Sequence, residues 1–199
     1  MNKEIFAISA ALFCGSCFAQ PNILPPKLAD RAAVIAPNPQ ENKYIERIFA
    51  QMPQIVRKPG EGGLVSATWI KVEQDIRVYR MWNGPPARNR IGNWWTYERP
   101  RGTVHQYRRD YDICTQWNAL RAVATCTLKA GAFAVVGPGQ SVSAETCGNP
   151  GESYPPNSRH WQIYFQASGP QRNLLECPPE QDDYMADPFE LNRPIAVRD

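Results

Sequence analysis

The stretch that most constrains this chain is residues 129–141, where a small apolar run, 132–136, gives way to Gly137-Pro138-Gly139 and then to Gln140. A short apolar run bounded by glycines reads as a buried strand. Glycine adopts backbone angles closed to other residues and proline fixes its own φ, so the pattern predicts a strand ending in a rigid turn. Gln140 then stands at the rim of that turn, and loop rims held by a rigid scaffold are where binding residues concentrate. A plain turn between two strands satisfies the same pattern.

The flanking sequence agrees with a strand-rich core. Residues 76–82 alternate and carry Arg80, and Asn93-Trp94-Trp95-Thr96-Tyr97 forms a very aromatic patch between Gly92 and Pro100. Residues 64–72, 125–128 and 161–167 also read as strands. One amphipathic helix is expected over 41–56, from Tyr44, Ile45, Ile48, Phe49, Met52 and Ile55. Asn38 or Asn42 could cap it, and Pro53 should end it. A second, short helix is expected over 112–123 through Trp117, Leu120 and Val123, whereas 101–110 is polar and mixed. With 199 residues, these elements make one α+β domain spanning 41–177. A Pro-rich, exposed arm (20–40) precedes it, and a Pro- and acid-rich tail (178–199) follows.

The first 19 residues read as a signal peptide: Lys3, an apolar run over 5–13, and Cys17-Phe18-Ala19 before Gln20. Lipidation at Cys17 is the alternative, made weaker by Cys14 three places upstream. The apolar run is too short for an anchor, so no membrane span is expected after cleavage. Of six cysteines, Cys114, Cys126, Cys147 and Cys177 then remain, and an even count in a periplasmic or secreted chain implies two disulfides. Three pairings are open. No metal is expected, since no Cys-x-x-Cys pair survives and only His105 and His160 could assist. The net charge of +3 and the lack of a long basic tract give no reason to expect a nucleic-acid partner.

Common catalytic signatures are missing. No Gly-x-Ser-x-Gly elbow or phosphate-binding Gly-x-x-x-x-Gly-Lys loop occurs, and paired cysteines do not act as nucleophiles. His105 and His160 could serve as the acid and base of a phosphodiester cleavage on count alone. The chain does offer a strand arginine, an indole pair and an amide at a strand end. An arginine fork matches phosphate oxygens, an indole face stacks on a flat ring, and an amide orients a hydroxyl or a water. Those needs together describe a dinucleotide with a leaving pyridine ring.

In order, Val78-Tyr79-Arg80, Gly92-Asn93-Trp94-Trp95-Thr96, Leu128-Lys129-Ala130-Gly131 and Gly137-Pro138-Gly139-Gln140 resemble the ADP-ribosyltransferase fold. The likeness is to its NAD glycohydrolase toxins, a group that includes the tuberculosis necrotizing toxin and the fungal surface NAD glycohydrolases. It covers residues 76–140, about a third of the chain. The resemblance implies NAD as substrate and cleavage of its nicotinamide–ribose bond. It makes Arg80 the clamp on the diphosphate and Gln140 the group that meets the ribose and the attacking water. Trp94 or Trp95 would line the nicotinamide pocket, with Thr96 and Gly139 beside it. A toxin or effector role follows, with a host target or an immunity protein as partner.

The chain departs from the family in three ways. The toxin's histidine between the arginine and the glutamine has no convincing counterpart, His105 being nearest and Arg108 or Tyr111 the substitutes. The glycines after the glutamine are replaced by Ser141–Ser143. The Glu-x-Glu pair of the arginine-modifying transferases is absent, with Glu145 and Glu152 the only acids nearby. That absence leans toward hydrolysis. Transfer of ADP-ribose to a macromolecule stays open, as does a secreted, disulfide-bonded binding module that uses its aromatics for contact.

Overall fold

In the computed structural model, the described residues are 24–40 and 42–184, so the segment read as a signal peptide (1–19) and the end of the tail lie outside them. The fold is α+β and dominated by one antiparallel sheet. Its elements are α1 (Pro26–Ala29), β1 (Ala32–Val34), α2 (Lys43–Ile55), β2 (Thr68–Val72), β3 (Ile76–Trp82), β4 (Trp94–Thr96), α3 (Val104–Tyr111), β5 (Ala122–Leu128), β6 (Phe133–Gly139), α4 (Ala144–Cys147), β7 (Asn157–Tyr164), β8 (Leu175–Glu176) and β9 (Asp183–Tyr184). The strands run in the order β1-β2-β6-β7-β4-β3-β5-β8, and β9 pairs with the other end of β5. Among the described residues no helix is long and apolar enough to cross a membrane.

Alternation along β3 separates two cores. Ile76, Val78 and Trp82 pack into the main cluster with Tyr44, Ile45, Ile48 and Ile55 of α2, while Met81 and half-buried Tyr79 join Val104, Tyr107 and Tyr111 of α3. Side chains two apart on a strand share a face, which is why one strand serves both clusters. Each large side chain buried this way contributes about 1.5–3 kcal/mol. The two disulfides are Cys114–Cys147 and Cys126–Cys177. The first ties the loop after α3 to α4, and the second ties β5 to the segment after β8.

Several elements differ from expectation. Helix α2 starts at Asn42, whose side chain accepts from the Tyr44 amide at 2.9 Å, and it continues through Pro53 to Ile55. Pro53 costs one helical hydrogen bond there, and burial of Ile55 against the core holds the last turn in place. The second helix lies over 104–111, not 112–123. Thr103 caps it, accepting from Gln106 N at 3.1 Å, and Arg108 and Arg109 suit the negative end of the helix. Residues 112–121 form the loop after it.

Of the residues read as an exposed arm, the described ones, 24–40, pack onto the domain. Leu24 and Leu28 are buried, and β1 pairs with β2 from Ala32 to Val34. The start of the tail is likewise structured, with β9 paired to Ala122 and Val123.

The largest correction falls on Gly137-Pro138-Gly139. Strand β6 does not stop there but runs through to Gly139, with Pro138 opposite Trp161 and an irregularity between Pro138 and Gly139. The two glycines serve close approach instead of a turn. A Cβ on Gly137 would lie 2.0 Å from the Ser66 carbonyl oxygen, and one on Gly139 would lie 2.3 Å from Asp112 Oδ2.

Candidate functional site

A cavity of about 180 Å³ lies between α3, the loop that follows it, and strands β3, β4 and β7. Arg80, Trp94, Trp95 and Thr96 all line it. The reason is topological: β3 and β4 are neighbours, with Tyr79 opposite Thr96, and β4 pairs in turn with β7. The cavity is smaller than the roughly 300–1,000 Å³ usual for drug-sized ligands. It can enclose one ring, and a larger molecule would extend through its mouth.

Arg80 is half-buried and built in from one side. Its Nη1 donates to the Trp94 carbonyl at 3.0 Å and its Nε to the Asn89 carbonyl at 3.4 Å. Gly92 permits this position, because a Cβ there would lie 2.6 Å from Arg80 Cζ and 2.7 Å from Nη2. Burial pulls the guanidinium below its ordinary pKa, opposed by nearby Tyr107, and it remains a cation because arginine starts so high. Among the described residues no carboxylate forms an ion pair with it. A half-buried arginine fixed by carbonyls and lacking an acid is suited to an anionic ligand.

The aromatic wall is split as two successive strand residues must be. Trp95 is buried in the main core, its indole N–H donating to the Gly92 carbonyl at 2.7 Å. Trp94 is half-buried and meets Tyr164 edge-on at 5.1 Å. Thr96 is buried and shares a 2.7 Å hydrogen bond with the Tyr111 hydroxyl. Burial pushes the Tyr111 phenol well up, so it stays protonated at ordinary pH. Trp117 stands at the cavity as a 43 % exposed indole.

Asp112 is the residue the sequence reading missed. It follows α3 in the left-handed conformation, φ 53°, and is only 2 % exposed. Among the described residues neither carboxylate oxygen has a hydrogen-bond partner. Burial, with a smaller contribution from the charge of Asp110, pushes its pKa up to about 8. A buried carboxyl without partners is costly, and it lines the same cavity as Arg80. Strongly perturbed acids in clefts mark candidate functional sites. The one local signal was an Asp at a helix end, a residue type that tolerates the left-handed conformation.

Gln140 is placed elsewhere. It is buried, its Nε2 donates to the Arg57 carbonyl at 3.2 Å, and its Oε1 accepts from the Ser141 amide at 3.0 Å. It is not among the lining residues, and its amide holds the loop over 57–63 against the end of β6. Gly139, beside it, meets the site through the space it leaves for Asp112 and for the Gln162 amide, whose Nε2 would lie 3.1 Å from a Cβ there. The amide that does line the cavity is Gln162 of β7, opposite Thr96 in register, with its Nε2 donating to the Tyr111 carbonyl at 3.2 Å. Nothing local in the sequence marks Gln162, since it reads as an ordinary polar position of an alternating strand.

The two histidines have different neighbours. His160 Nδ1 lies 2.6 Å from Glu98 and Nε2 lies 3.7 Å from Asp110. His105 lines a separate cleft with Arg108, Thr115 and Glu152. Burial raises Glu152, but hydrogen bonds from Thr115 and Tyr154 outweigh it and hold the carboxyl below its ordinary value. Among the described residues no group of three or more His, Cys, Asp or Glu could hold a metal ion.

Comparison with known proteins adds no relative: no family model, curated protein or solved structure matches the chain.

Proposed function

We propose that the chain is an exported NAD-consuming enzyme that hydrolyses the nicotinamide–ribose bond in this cavity. The observation that carries the reading is the convergence of Arg80, an arginine with no acidic partner among the described residues, with Trp94, Thr96 and Gln162 on one small cavity. Two disulfides fit an oxidising compartment, which supports export.

The cavity's size suits the nicotinamide ring, with Trp94 as its aromatic wall, and Arg80 holds the diphosphate at the mouth. Nicotinamide in NAD is cationic and leaves as a neutral ring, so the bond breaks without a strong general acid. The transition state resembles an oxocarbenium ion, and orientation with charge stabilisation supplies the rate. The role first assigned to Gln140, meeting the ribose and the attacking water, passes to Gln162.

The test is turnover of NAD by the oxidised protein beside Gln162→Ala and Gln140→Ala. Activity should fall about 100-fold or more in Gln162→Ala. Gln140→Ala should lose stability, with its rate per folded molecule retained. Wild-type protein that neither consumes NAD nor is stabilised by it would overturn the reading. Label from NAD appearing on a macromolecule, in place of free ADP-ribose, would turn hydrolysis into transfer.

A further inference from the structure

We propose that Asp112 is a catalytic residue of this cavity, the group that takes the proton of the attacking water. The proposal rests on the NAD-cleaving reading. Its geometric basis is independent of pKa: a carboxyl 2 % exposed, with both oxygens lacking partners among the described residues, lines the cavity that holds Arg80 and Gln162. The fold retains it at three costs. It desolvates a polar group without a hydrogen bond, it sets a non-glycine residue at φ 53°, and it requires glycine at position 139. Asn would meet the backbone need equally well, so the carboxyl itself calls for an explanation in chemistry.

The balanced step is short. The bond from ribose C1′ to the nicotinamide nitrogen breaks, and its electron pair stays on the ring. A water oxygen bonds to C1′, and one water proton passes to the Asp112 carboxylate. The products are nicotinamide, ADP-ribose and a proton that Asp112 later releases to solvent. Asp112 must therefore be ionised at the start of each turnover.

The charged surroundings set when that holds. From its own helix, Asp110 opposes ionisation, while Arg108 is fixed on the Ile113 and Asn118 carbonyls. The Arg80 cation of β3 and the Tyr107 and Tyr111 phenols of α3, both held protonated by burial, line the same cavity. His160 of β7 lies between Glu98 and Asp110 and meets Asp110 rather than Asp112. From β6, Gly139 contributes no charge. With burial the dominant influence, the carboxyl titrates near 8. A base working this close to ambient pH suits general catalysis.

The experiment is the pH profile of kcat for NAD cleavage, from pH 6 to pH 9.5, in wild type and Asp112→Asn. The wild-type rate should rise about tenfold per pH unit on the acid side and level above the titration. Asp112→Asn should fold, bind NAD with little change in KM, and run about 100-fold slower or worse with that limb gone. If wild type cleaves NAD and Asp112→Asn keeps both rate and profile, the role of Asp112 is overturned and the NAD reading survives. A flat wild-type profile overturns it even if the variant fails to fold. If wild type cleaves no NAD at any pH, both readings fall together.

Discussion

Asp112 and Gly139 are fitted to each other, with Asp112 Oδ2 occupying the space 2.3 Å from where a Cβ on residue 139 would be. Gly139→Ala must therefore displace a buried carboxyl or bend β6. Overpacking of this kind costs about 1–3 kcal/mol. The loss should be seen in denaturant midpoints, and it should shrink sharply when Gly139→Ala is made in an Asp112→Ala background. Equal losses in both backgrounds would show that something other than this contact is at fault.

Asp112 also makes stability depend on pH. Its folded pKa, about 8, lies above the ordinary carboxylate value. Its contribution is complete below the unfolded value, about 4, and is lost as pH climbs from there through about 8. Wild-type stability should decline across that window, and Asp112→Asn should flatten the decline. Urea denaturation at pH 5, 7 and 9 measures this, and parallel curves for the two proteins would refute the burial of an ionisable carboxyl.

Gly92 offers a way to move Arg80 without removing it. A methyl group there would meet the guanidinium at 2.6 Å, and the far end of a long side chain can swing aside. Gly92→Ala should melt within a few degrees of wild type yet bind NAD at least tenfold more weakly, the same direction expected of Arg80→Ala. Binding equal to wild type would show that the position of Arg80 is immaterial.

The disulfides should separate stability from site integrity. They close loops of 33 and 51 residues, each worth about 4 kcal/mol by chain entropy. Cys126→Ala with Cys177→Ala should lower stability with little change in the cavity. Cys114→Ala with Cys147→Ala should cost a similar amount and also raise KM. Cys114 anchors the loop that carries Asp112 and Trp117 into the cavity wall. Matching kinetic effects from the two pairs would argue against that distinction.

Alternation made the central strands legible: 76–82 was readable because β3 divides its residues between two cores. The even cysteine count implied two bridges, while their pairing depends on contacts between distant strands. Helix α3 was hidden because its apolar stripe, Val104, Tyr107 and Tyr111, is carried largely by tyrosines amid arginines. In the cavity, Arg80, Trp94, Trp95 and Thr96 were singled out by residue type and by resemblance, and it is the pairing of β3 with β4 that brings them together. Gln162 and Asp112 were not, because register between β4 and β7 and the end of an unrecognised helix bring them in. Gln140 misled because Gly-Pro-Gly suggests a turn, and only the tertiary fold shows those glycines yielding to Ser66 and Asp112.

The most direct measurement is nicotinamide release from NAD by the oxidised protein, purified from an exporting host, with Arg80→Ala alongside. The expected result is steady release by wild type and at least a 100-fold lower rate for a folded Arg80→Ala. Equal rates in the two proteins would move the activity to another site, and no release by wild type would contradict the account.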